Sequence, residues 1–533
     1  MSARSLSAAE APLWTLGAAE LAARIARREL SAAQVVEAHI ARIEAANPPL
    51  NAVVVRRYDE ARAEARAADG RLTSGAPVGP LHGVPVVIKE CIDVAGTPST
   101  SGLPSRASTR ATADEKHVAR LRAAGAIVLA KTNVAQLLAF LESDNPLYGR
   151  TQNPWDLTRA PGGSSGGQAA IIAAGGAPLG LGTDIGGSNR VPAAFCGIVG
   201  FKGTQGRLPD EGRLSFPPAE RTIESQIGIF ARSVEDVALG LEVANGGSAA
   251  AAADPRMTLG DWRAVDLSKL HVGVFDFDGT FPACPAARRA VAEAADSLRA
   301  RGVRVSEWKL PDPGEVEAAF FGLLGADGGA TFKQLLGRDR RDTRIALLLV
   351  GMSMSGRLRP LFRAITRLSG RGKLAEILGV YIDHRTASYF DLVDRTLAYR
   401  ERFRRALDDA AGGPLDAILS PAAALPALRH GASAEVTVMG LYSCLWNVLG
   451  YPALAVPATR VRAGEESDRA PSKDRMDSTA FATERGSAGL PIAVQVAARP
   501  WQDHVALALG AAIEREAREH AAHPSLAALL ARR

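Results

Sequence analysis

The feature that most constrains the fold of this chain is the alternation of short, almost wholly apolar runs with longer helical stretches. A short apolar run between turn signals is typical of a strand that is buried on both faces of a sheet. Such runs lie at residues 84–88, 127–130, 272–275, 417–419, 453–456 and 492–496. Their order predicts an α/β fold, in which a large mixed central β-sheet is covered by α-helices on both faces.

Helix signals divide the chain into regions. Ser31 followed by Gln34 is a capping-box pattern, and the helix that it opens is expected to stop at Asn47-Pro48-Pro49. Further helices are predicted at 57–68, 118–124 and 133–141. We therefore expect an N-terminal helical region over 1–75 and one larger domain over 76–533, with a basic helical segment at about 333–385 and an exposed polar loop at about 460–489.

Composition points to a folded protein of a reducing compartment. Of the 533 residues, 47% are hydrophobic and 23% are charged, which is an ordinary globular mix. The cysteines show no close paired spacing that would indicate a disulfide framework or a zinc site. The first twelve residues lack an apolar stretch with a cleavage site, and no uncharged apolar run reaches the roughly 20 residues of a membrane span. The sequence thus predicts a cytoplasmic protein without a signal peptide or transmembrane helix.

Two glycine-rich segments each carry serine. They are Gly162-Gly163-Ser164-Ser165-Gly166-Gly167 and Gly182-Thr183-Asp184-Ile185-Gly186-Gly187-Ser188-Asn189-Arg190. The first, taken alone, is typical of a flexible linker, but it runs directly into the apolar helical stretch 169–174. In the second, the glycines before Ser188 allow successive backbone N–H groups to point inward, where they would stabilise an oxyanion formed when Ser188 attacks a carbonyl. This pattern predicts a nucleophilic serine.

A serine nucleophile needs a base, and the sequence offers three kinds. Histidine would suit the nucleophile-elbow pattern around Ser164, but the elbow requires a buried strand immediately before it, and residues 155–161 are polar. Zinc is disfavoured because the sequence contains no HExxH motif or comparable spacing of metal ligands. Lys89 ends the apolar run 84–88, where burial disfavours the charged ammonium form. Considered alone, a strand-end lysine paired with Glu90 or Asp93 is the more ordinary interpretation.

Considered together, these features resemble the amidase signature family, whose members hydrolyse amides with a serine, serine, lysine triad. The resemblance rests on an ordered series of motifs: Leu81-His82-Gly83-Val84-Pro85, Lys89, the two glycine-serine segments, Arg190-Val191-Pro192-Ala193, Cys196-Gly197, Gly200-Phe201-Lys202 and Ala231-Arg232-Ser233-Val234-Glu235-Asp236. Other segments, such as Asn145-Pro146-Leu147-Tyr148-Gly149 and Gly489-Leu490-Pro491-Ile492-Ala493-Val494-Gln495, resemble the members that act on fatty amides. The family resemblance implies that residues 76–533 form a catalytic domain that needs no cofactor and no metal.

The same resemblance assigns roles to individual residues. Ser188 is the expected nucleophile, Ser164 the bridging serine in a cis peptide with Gly163, and Lys89 the terminal base. The expected oxyanion hole consists of the backbone N–H groups of Ile185, Gly186, Gly187 and Ser188. Ser165, Asp184 and Arg190 are expected to hold these loops in place.

Substrate contacts are predicted in two places. Leu138, Phe140 and Leu141 lie on the helix predicted at 133–141, which the resemblance places beside an acyl-binding channel, although an ordinary core face would look the same. Thr183, next to the oxyanion turn, is a predicted wall residue. Two positions depart from the family pattern: Asn189 stands where an aliphatic residue is usual, a change expected to bear on the wall of the site, and Gly203 stands where proline is usual.

The net charge of +6 arises in one stretch. Residues 333–373 contain eleven Lys or Arg and two acids, a balance of +9, so the remainder carries 6 − 9 = −3. Within the stretch, arginines recur four residues apart beside apolar residues at helical spacing; the arginines are Arg359, Arg363 and Arg367, and the apolar residues are Leu358, Leu361, Phe362, Ile365 and Leu368. This pattern predicts an interfacial helix on an anionic membrane. The alternative is a solvated basic helix that packs its apolar face on the core.

Three functional hypotheses follow. The first is a hydrolase of fatty acid amides or other hydrophobic acyl amides. The second is an amidase of the same family that acts on small or aryl amides, including the glutaminase-type subunit of tRNA-dependent amidotransferases. The third is a non-catalytic membrane- or nucleic-acid-binding protein, which the intact Lys89, Ser164 and Ser188 disfavour. The confinement of basic charge to one stretch argues against a nucleic-acid partner, and self-association into a homodimer is left open.

Overall fold

The computed structural model describes residues 12–210, 221–354 and 356–531. Residues 1–11, on which the expectation about a signal peptide chiefly rests, lie outside this range. The strands within the described residues are β1 (Val53–Arg56), β2 (Pro85–Lys89), β3 (Ile127–Thr132), β4 (Asp144–Asn145), β5 (Gly149–Arg150), β6 (Leu179–Asp184), β7 (Val199–Lys202), β8 (Gln226–Ala231), β9 (His271–Val274), β10 (Arg304–Glu307), β11 (Ala417–Pro421), β12 (Ala453–Arg460) and β13 (Pro491–Ala498).

Eleven of the described strands form one mixed sheet in the order β1-β3-β2-β6-β8-β7-β12-β13-β11-β9-β10. β3, β2 and β6 are parallel neighbours, as are β11, β9 and β10. The other pairs are antiparallel. The predicted large mixed sheet is therefore confirmed.

Nineteen α-helices accompany the strands in the described part of the chain. They are α1 (Ala18–Ala26), α2 (Ala32–Leu50), α3 (Tyr58–Thr73), α4 (Lys116–Ala123), α5 (Gly166–Ala173), α6 (Arg190–Cys196), α7 (Val234–Asn245), α8 (Gly247–Ala253), α9 (Pro285–Ala300), α10 (Gly314–Leu324), α11 (Ala330–Leu336), α12 (Thr343–Ser353), α13 (Arg359–Leu368), α14 (Gly372–Ile377), α15 (Thr386–Asp408), α16 (Leu441–Leu449), α17 (Arg475–Glu484), α18 (Asp503–Glu519) and α19 (Leu526–Leu530).

Helices cover both faces of the sheet, as its side chains show. On β2, Val86 and Ile88 pack into a cluster with residues of α1, α4, α7, α9 and α18. Val87, between them, packs into a separate cluster with residues of α2, α3 and α5. Because successive strand residues point to opposite faces, a strand between two helical layers must be apolar at every position. This explains why the strands appear in the sequence as continuous apolar runs.

The N-terminal region differs from the prediction in two respects. It is not wholly helical, because β1 pairs with β3 at the edge of the sheet. Helix α2 does not stop at Asn47 but includes Pro48 and Pro49 in its last turn. Ala46 and Leu50 on this turn are fully buried, so tertiary packing compensates for the hydrogen bonds that the prolines cannot make. The Ser31 capping box is present as predicted.

Two other local predictions were wrong. Residues 133–141 contain only a short 3-10 turn, Gln136–Leu138, in which Leu137 and Leu138 have φ values of 50° and 60°. An α-helix cannot pass through such left-handed residues. The polar segment 460–489 is not simply a loop, since it contains α17.

The basic segment 333–385 is helical, and α13 has an unexpected orientation. Arg359 donates hydrogen bonds to Met354 O and Ile382 O, and Arg363 donates one to Ala375 O. These two arginines therefore face the protein. The apolar side chains of the helix face outward instead and are exposed; they are Leu358, Leu361, Phe362, Ile365 and Leu368. Both the core-packing alternative and the prediction that Arg359 and Arg363 face lipid are thus wrong, whereas Arg367 is exposed.

Across residues 12–210, 221–354 and 356–531, no helix combines the length and the apolar character that crossing a membrane requires.

Candidate active site

Three polar side chains converge where neighbouring elements end. Lys89 is the last residue of β2, and Ser188 lies in the turn between β6 and α6. β2 and β6 are adjacent and parallel, so their carboxyl ends lie at the same edge of the sheet. Ser164 lies in the loop just before α5. The peptide bond between Gly163 and Ser164 is cis, as the family resemblance implies.

Hydrogen bonds link these three side chains in one line. Lys89 Nζ donates to Ser164 Oγ at 2.8 Å, and Ser164 Oγ donates to Ser188 Oγ at 3.0 Å. Lys89 is fully buried, Ser164 is almost so, and Ser188 is 8% exposed. The line thus leads from a buried amine to a hydroxyl that can be reached from a cavity. A proton can pass along it between the amine and Ser188.

Thr183 lies beside the lysine. Lys89 Nζ donates a second hydrogen bond to Thr183 Oγ1 at 2.8 Å. Thr183 is buried and is not among the residues that line the cavity beside Ser188. The structure therefore places this predicted wall residue behind the site, where its hydroxyl orients the amine.

The turn before Ser188 depends on two glycines. Gly187 has a φ of +98°, which favours glycine. A Cβ on Gly186 would lie 2.4 Å from the ring of Phe320, so only glycine allows this ring to pack against the turn. Gly187 N donates to Asp184 Oδ1 at 2.7 Å and is already engaged. In the described chain, the amides of Ile185, Gly186 and Ser188 donate to no other group, which leaves three of the four predicted oxyanion donors free.

The turn is held by a buried ion pair. Arg190 Nη2 lies 3.0 Å from Asp184 Oδ1, and both side chains are fully buried. Burial alone would raise the pKa of Asp184, but the Arg190 guanidinium holds it well below its usual range. Arg190 also donates to Asn447 Oδ1, to Ser443 O and to Gln495 Oε1. These contacts tie the turn to α16 and β13.

Ser165 and Asn189 join the glycine-serine loop to the sheet. Ser165 N donates to Ser188 O at 3.3 Å, and Ser165 Oγ donates to Asn189 Oδ1 at 3.3 Å. Asn189 Nδ2 in turn donates to Phe201 O on β7. Asn189 is fully buried and lies outside the cavity lining. Asparagine at position 189 therefore supports the turn. The expectation that it alters the cavity wall was wrong.

An apolar cavity opens beside Ser188. Leu138, Phe140 and Leu141 line it, although they do so from a turn and not from the predicted helix. Sequence reasoning missed most of the remaining wall, which comes from α10, α11 and α12 together with Cys444, Ser433 and Thr437. Those helical wall residues are Phe320, Phe321, Leu324, Phe332, Leu335, Leu348 and Met352. A sequence signal exists for those on α12, which lie within the uncharged apolar stretch 345–356 of the basic segment.

Another cavity, more polar, lies between the N-terminal and C-terminal helices and is lined by Arg232, Asp236 and Arg518 among others. It contains none of Lys89, Ser164 and Ser188. Among the residues that the structure describes, no group of three or more His, Cys, Asp or Glu side chains is placed to hold a metal ion.

Comparison with known proteins shows the family to which this chain belongs. The family model described as Amidase matches residues 34–507. Fatty-acid amide hydrolase 1 of Sus scrofa is 33% identical over 517 residues, which cover 93% of this chain and 85% of that protein. One subunit of the glutamyl-tRNA(Gln) amidotransferase of Roseiflexus castenholzii is 31% identical over 97% of this chain and 98% of its own length.

Comparison with solved structures points to the same family. A fatty acid amide hydrolase superposes with a TM-score of 0.81 at 26% identity, over 95% of this chain and 85% of the other. The similarity therefore extends over nearly the whole of this chain. With the family model, the relatives and the fold in agreement, the chain belongs to the amidase signature family and is an amide-hydrolysing enzyme.

Proposed function

We propose that this enzyme cleaves amides of long, hydrophobic acyl groups through Lys89, Ser164 and Ser188. One observation carries the proposal. The series of hydrogen bonds from Lys89 through Ser164 ends at Ser188, on the wall of an apolar cavity. Aromatic and aliphatic side chains dominate that wall. Burial of an acyl chain there contributes about 0.8 kcal/mol for each CH₂ group.

The proposed mechanism uses the line in both directions. Neutral Lys89 accepts a proton through Ser164 as Ser188 Oγ attacks the amide carbonyl. The free amides of the Ile185–Ser188 turn stabilise the resulting oxyanion. The ammonium then returns a proton through Ser164 to the departing amine, which leaves an acyl group on Ser188. Water attacks this ester, and Ser188 is regenerated.

A second candidate substrate class is favoured by the relatives. The similarity to the amidotransferase protein, which extends over nearly its full length, and a 39% identity over 309 residues to an indoleacetamide hydrolase of Bradyrhizobium diazoefficiens point to small or aryl amides. A small polar side chain such as that of glutamine would leave the apolar walls from α10 to α12 unfilled. We therefore rank the hydrophobic acyl amide first.

The proposal includes a peripheral contact with an anionic membrane. The outward apolar face of α13 reaches 89% exposure at Leu368, and exposed faces of this kind are typical of interaction surfaces. The exposed basic residues of the segment 333–373, among them Arg357 and Arg367, favour an anionic lipid surface as the partner. Arg367 is the exposed member of the predicted arginine set, whereas Arg359 and Arg363 stabilise the helix from beneath.

Two measurements test the function. A fluorophosphonate probe should label Ser188 in the wild type, and Ser188→Ala should abolish both labelling and amide hydrolysis, because only this serine combines an activated hydroxyl with the oxyanion turn. An acyl-amide series from two to about twenty carbons should show kcat/KM rising with chain length. Labelling at Ser164 would reverse the assignment of the nucleophile, and a maximum at the shortest acyl groups would favour the small-amide alternative.

A further inference from the structure

A buried ion cluster lies at the first turn of α12. Arg344 Nη1 lies 3.1 Å from Glu142 Oε2, and Arg344 Nη2 lies 3.0 Å from Asp144 Oδ2 and 2.7 Å from Asp342 Oδ2. The side chains of Arg344 and Glu142 are 8% and 1% exposed. The guanidinium carbon also lies 4.1 Å from the centre of the Phe140 ring. One arginine thus meets three carboxylates and one aromatic ring in a largely buried position.

This cluster joins three separate walls of the apolar cavity. Phe140 and Glu142 belong to the turn that contributes Leu138, Phe140 and Leu141 to the lining. Glu142 also accepts hydrogen bonds from Gly431 N at 2.8 Å and Ser433 N at 3.0 Å, and Ser433 is itself a lining residue. The carboxylate of Glu142 therefore holds the wall that contains Ser433 to the turn that contains Phe140.

The third wall is α12 itself. Leu348 and Met352 line the cavity, and they lie four and eight residues after Arg344, on the same face of the helix. A neighbouring contact supports the same end of α12, because the Gln136 side chain donates to Arg340 O and accepts from Asp342 N, both at 2.8 Å. A shift of Arg344 would thus move the row of side chains that faces the acyl group.

We propose that Arg344 is a specificity-determining positioning residue, which fixes the spacing of the three cavity walls and thereby the preference for long acyl chains. This inference rests on the proposed function, since it concerns the acyl cavity of the same site. Arg344 does not contact the reacting atoms, and its effect is carried by Phe140, Leu348 and Met352. Lysine is a poor substitute, because its compact ammonium lacks both the spread of N–H donors and the planar face that packs on the Phe140 ring.

The test compares Arg344→Met and Arg344→Lys with a matched control, Arg289→Met. Arg289 on α9 is also largely buried and pairs with Glu465 and Glu293, but neither it nor its partners line the cavity. For each protein, kcat and KM are measured with acetyl and palmitoyl anilides, and the ratio of kcat/KM for the long to the short substrate is compared. Thermal unfolding of each variant is recorded in parallel.

Arg344→Met should lower the long-to-short ratio by about tenfold or more, mainly through a higher KM for the palmitoyl anilide. Arg344→Lys should lower it in the same direction by a smaller factor, and it decides the outcome if Arg344→Met does not fold. Arg289→Met should lose thermal stability yet keep the wild-type ratio. A wild-type ratio retained by both Arg344 variants, or an equal fall in Arg289→Met, overturns the role of Arg344 alone. A wild type with no preference for the palmitoyl anilide overturns the proposed substrate class and this inference with it.

Discussion

The environment of Lys89 separates the roles of three hydroxyl groups. Its amine donates one hydrogen bond to Ser164 Oγ, which in turn contacts Ser188 Oγ, and another to Thr183 Oγ1. In the proposed mechanism, proton transfer requires the first contact, whereas the second fixes the direction of the amine. Substitutions at Lys89 and Thr183 should therefore have effects of different kinds.

Removal of the amine should damage amide hydrolysis more than ester hydrolysis. An amide needs its leaving nitrogen protonated, whereas an alkoxide departs more readily, so Lys89→Ala should lower kcat for an amide on the order of 10³-fold. The ester of the same acyl group should lose much less. Steady-state kinetics on the matched pair measures the difference, and equal losses on both substrates would exclude an acid role for Lys89.

Removal of the orienting hydroxyl should have a smaller effect that does not discriminate between substrates. Thr183→Val keeps the shape of the side chain but removes the acceptor of one hydrogen bond, so kcat should fall about tenfold for amide and ester alike. Thr183→Ser, which keeps the hydroxyl, is the matched control and should retain most activity. An unchanged kcat in the valine variant would show that the Thr183 hydroxyl does not orient the lysine.

Elements differ in how far the sequence predicted them. Strands such as β2 and β13 were predicted because burial on both faces requires continuous apolar residues. The turn at Leu137 and Leu138 could not be predicted, since nothing in an apolar run signals a positive φ at a leucine. Likewise, helical spacing predicted α13 correctly but cannot show which face of a helix meets the protein. The cavity walls from α10 to α12 were missed because wall and core side chains have the same composition.

The outward face of α13 leads to a prediction about this helix. The triple variant Leu361→Ser, Ile365→Ser and Leu368→Ser removes apolar surface that is already exposed, so it should fold normally and bind anionic vesicles on the order of 100-fold more weakly. Cosedimentation at low and high salt measures this binding, and salt should also weaken that of the wild type.

The matched control for α13 is Leu157→Ser, which changes another exposed leucine outside the basic segment. It should leave vesicle binding unchanged. Arg359→Glu and Arg363→Glu are unsuitable as tests, because these arginines hold the helix to the protein through backbone carbonyls. If the triple serine variant cosediments as well as the wild type, α13 does not contact the membrane.

At the scale of the whole molecule, buried neutral histidines make stability depend on pH. Burial lowers the pKa of His39 to about 4, whereas an unfolded histidine titrates near 6.5. Between pH 4 and pH 6.5, His39 is therefore protonated in the unfolded chain but neutral in the folded chain. The contribution of His39 is therefore fully present above pH 6.5 and is lost as the pH falls toward 4. Its full size is about 3 kcal/mol.

Urea unfolding at pH 7.5 and pH 4.5 tests this contribution. Between these two pH values, His39→Gln should lose less free energy of unfolding than the wild type, by roughly 2 kcal/mol. His520→Gln, which removes an exposed histidine, is the matched control and should follow the wild type. Parallel behaviour of His39→Gln and the wild type would contradict the assignment.

The supports of the oxyanion turn have a consequence for biosynthesis. Lys89, Ser164 and Ser188 all precede Arg190 in the chain, whereas Arg190 finds its partners Ser443, Asn447 and Gln495 only 253, 257 and 305 residues later. Until they are made, Arg190 can pair with Asp184, but the N–H groups that they accept from would be buried without acceptors. While translation continues, the nascent chain therefore carries all three reactive side chains but lacks the framework that aligns them. The framework is complete only once residue 495 has been made, so a product truncated before α16 should lack hydrolytic activity.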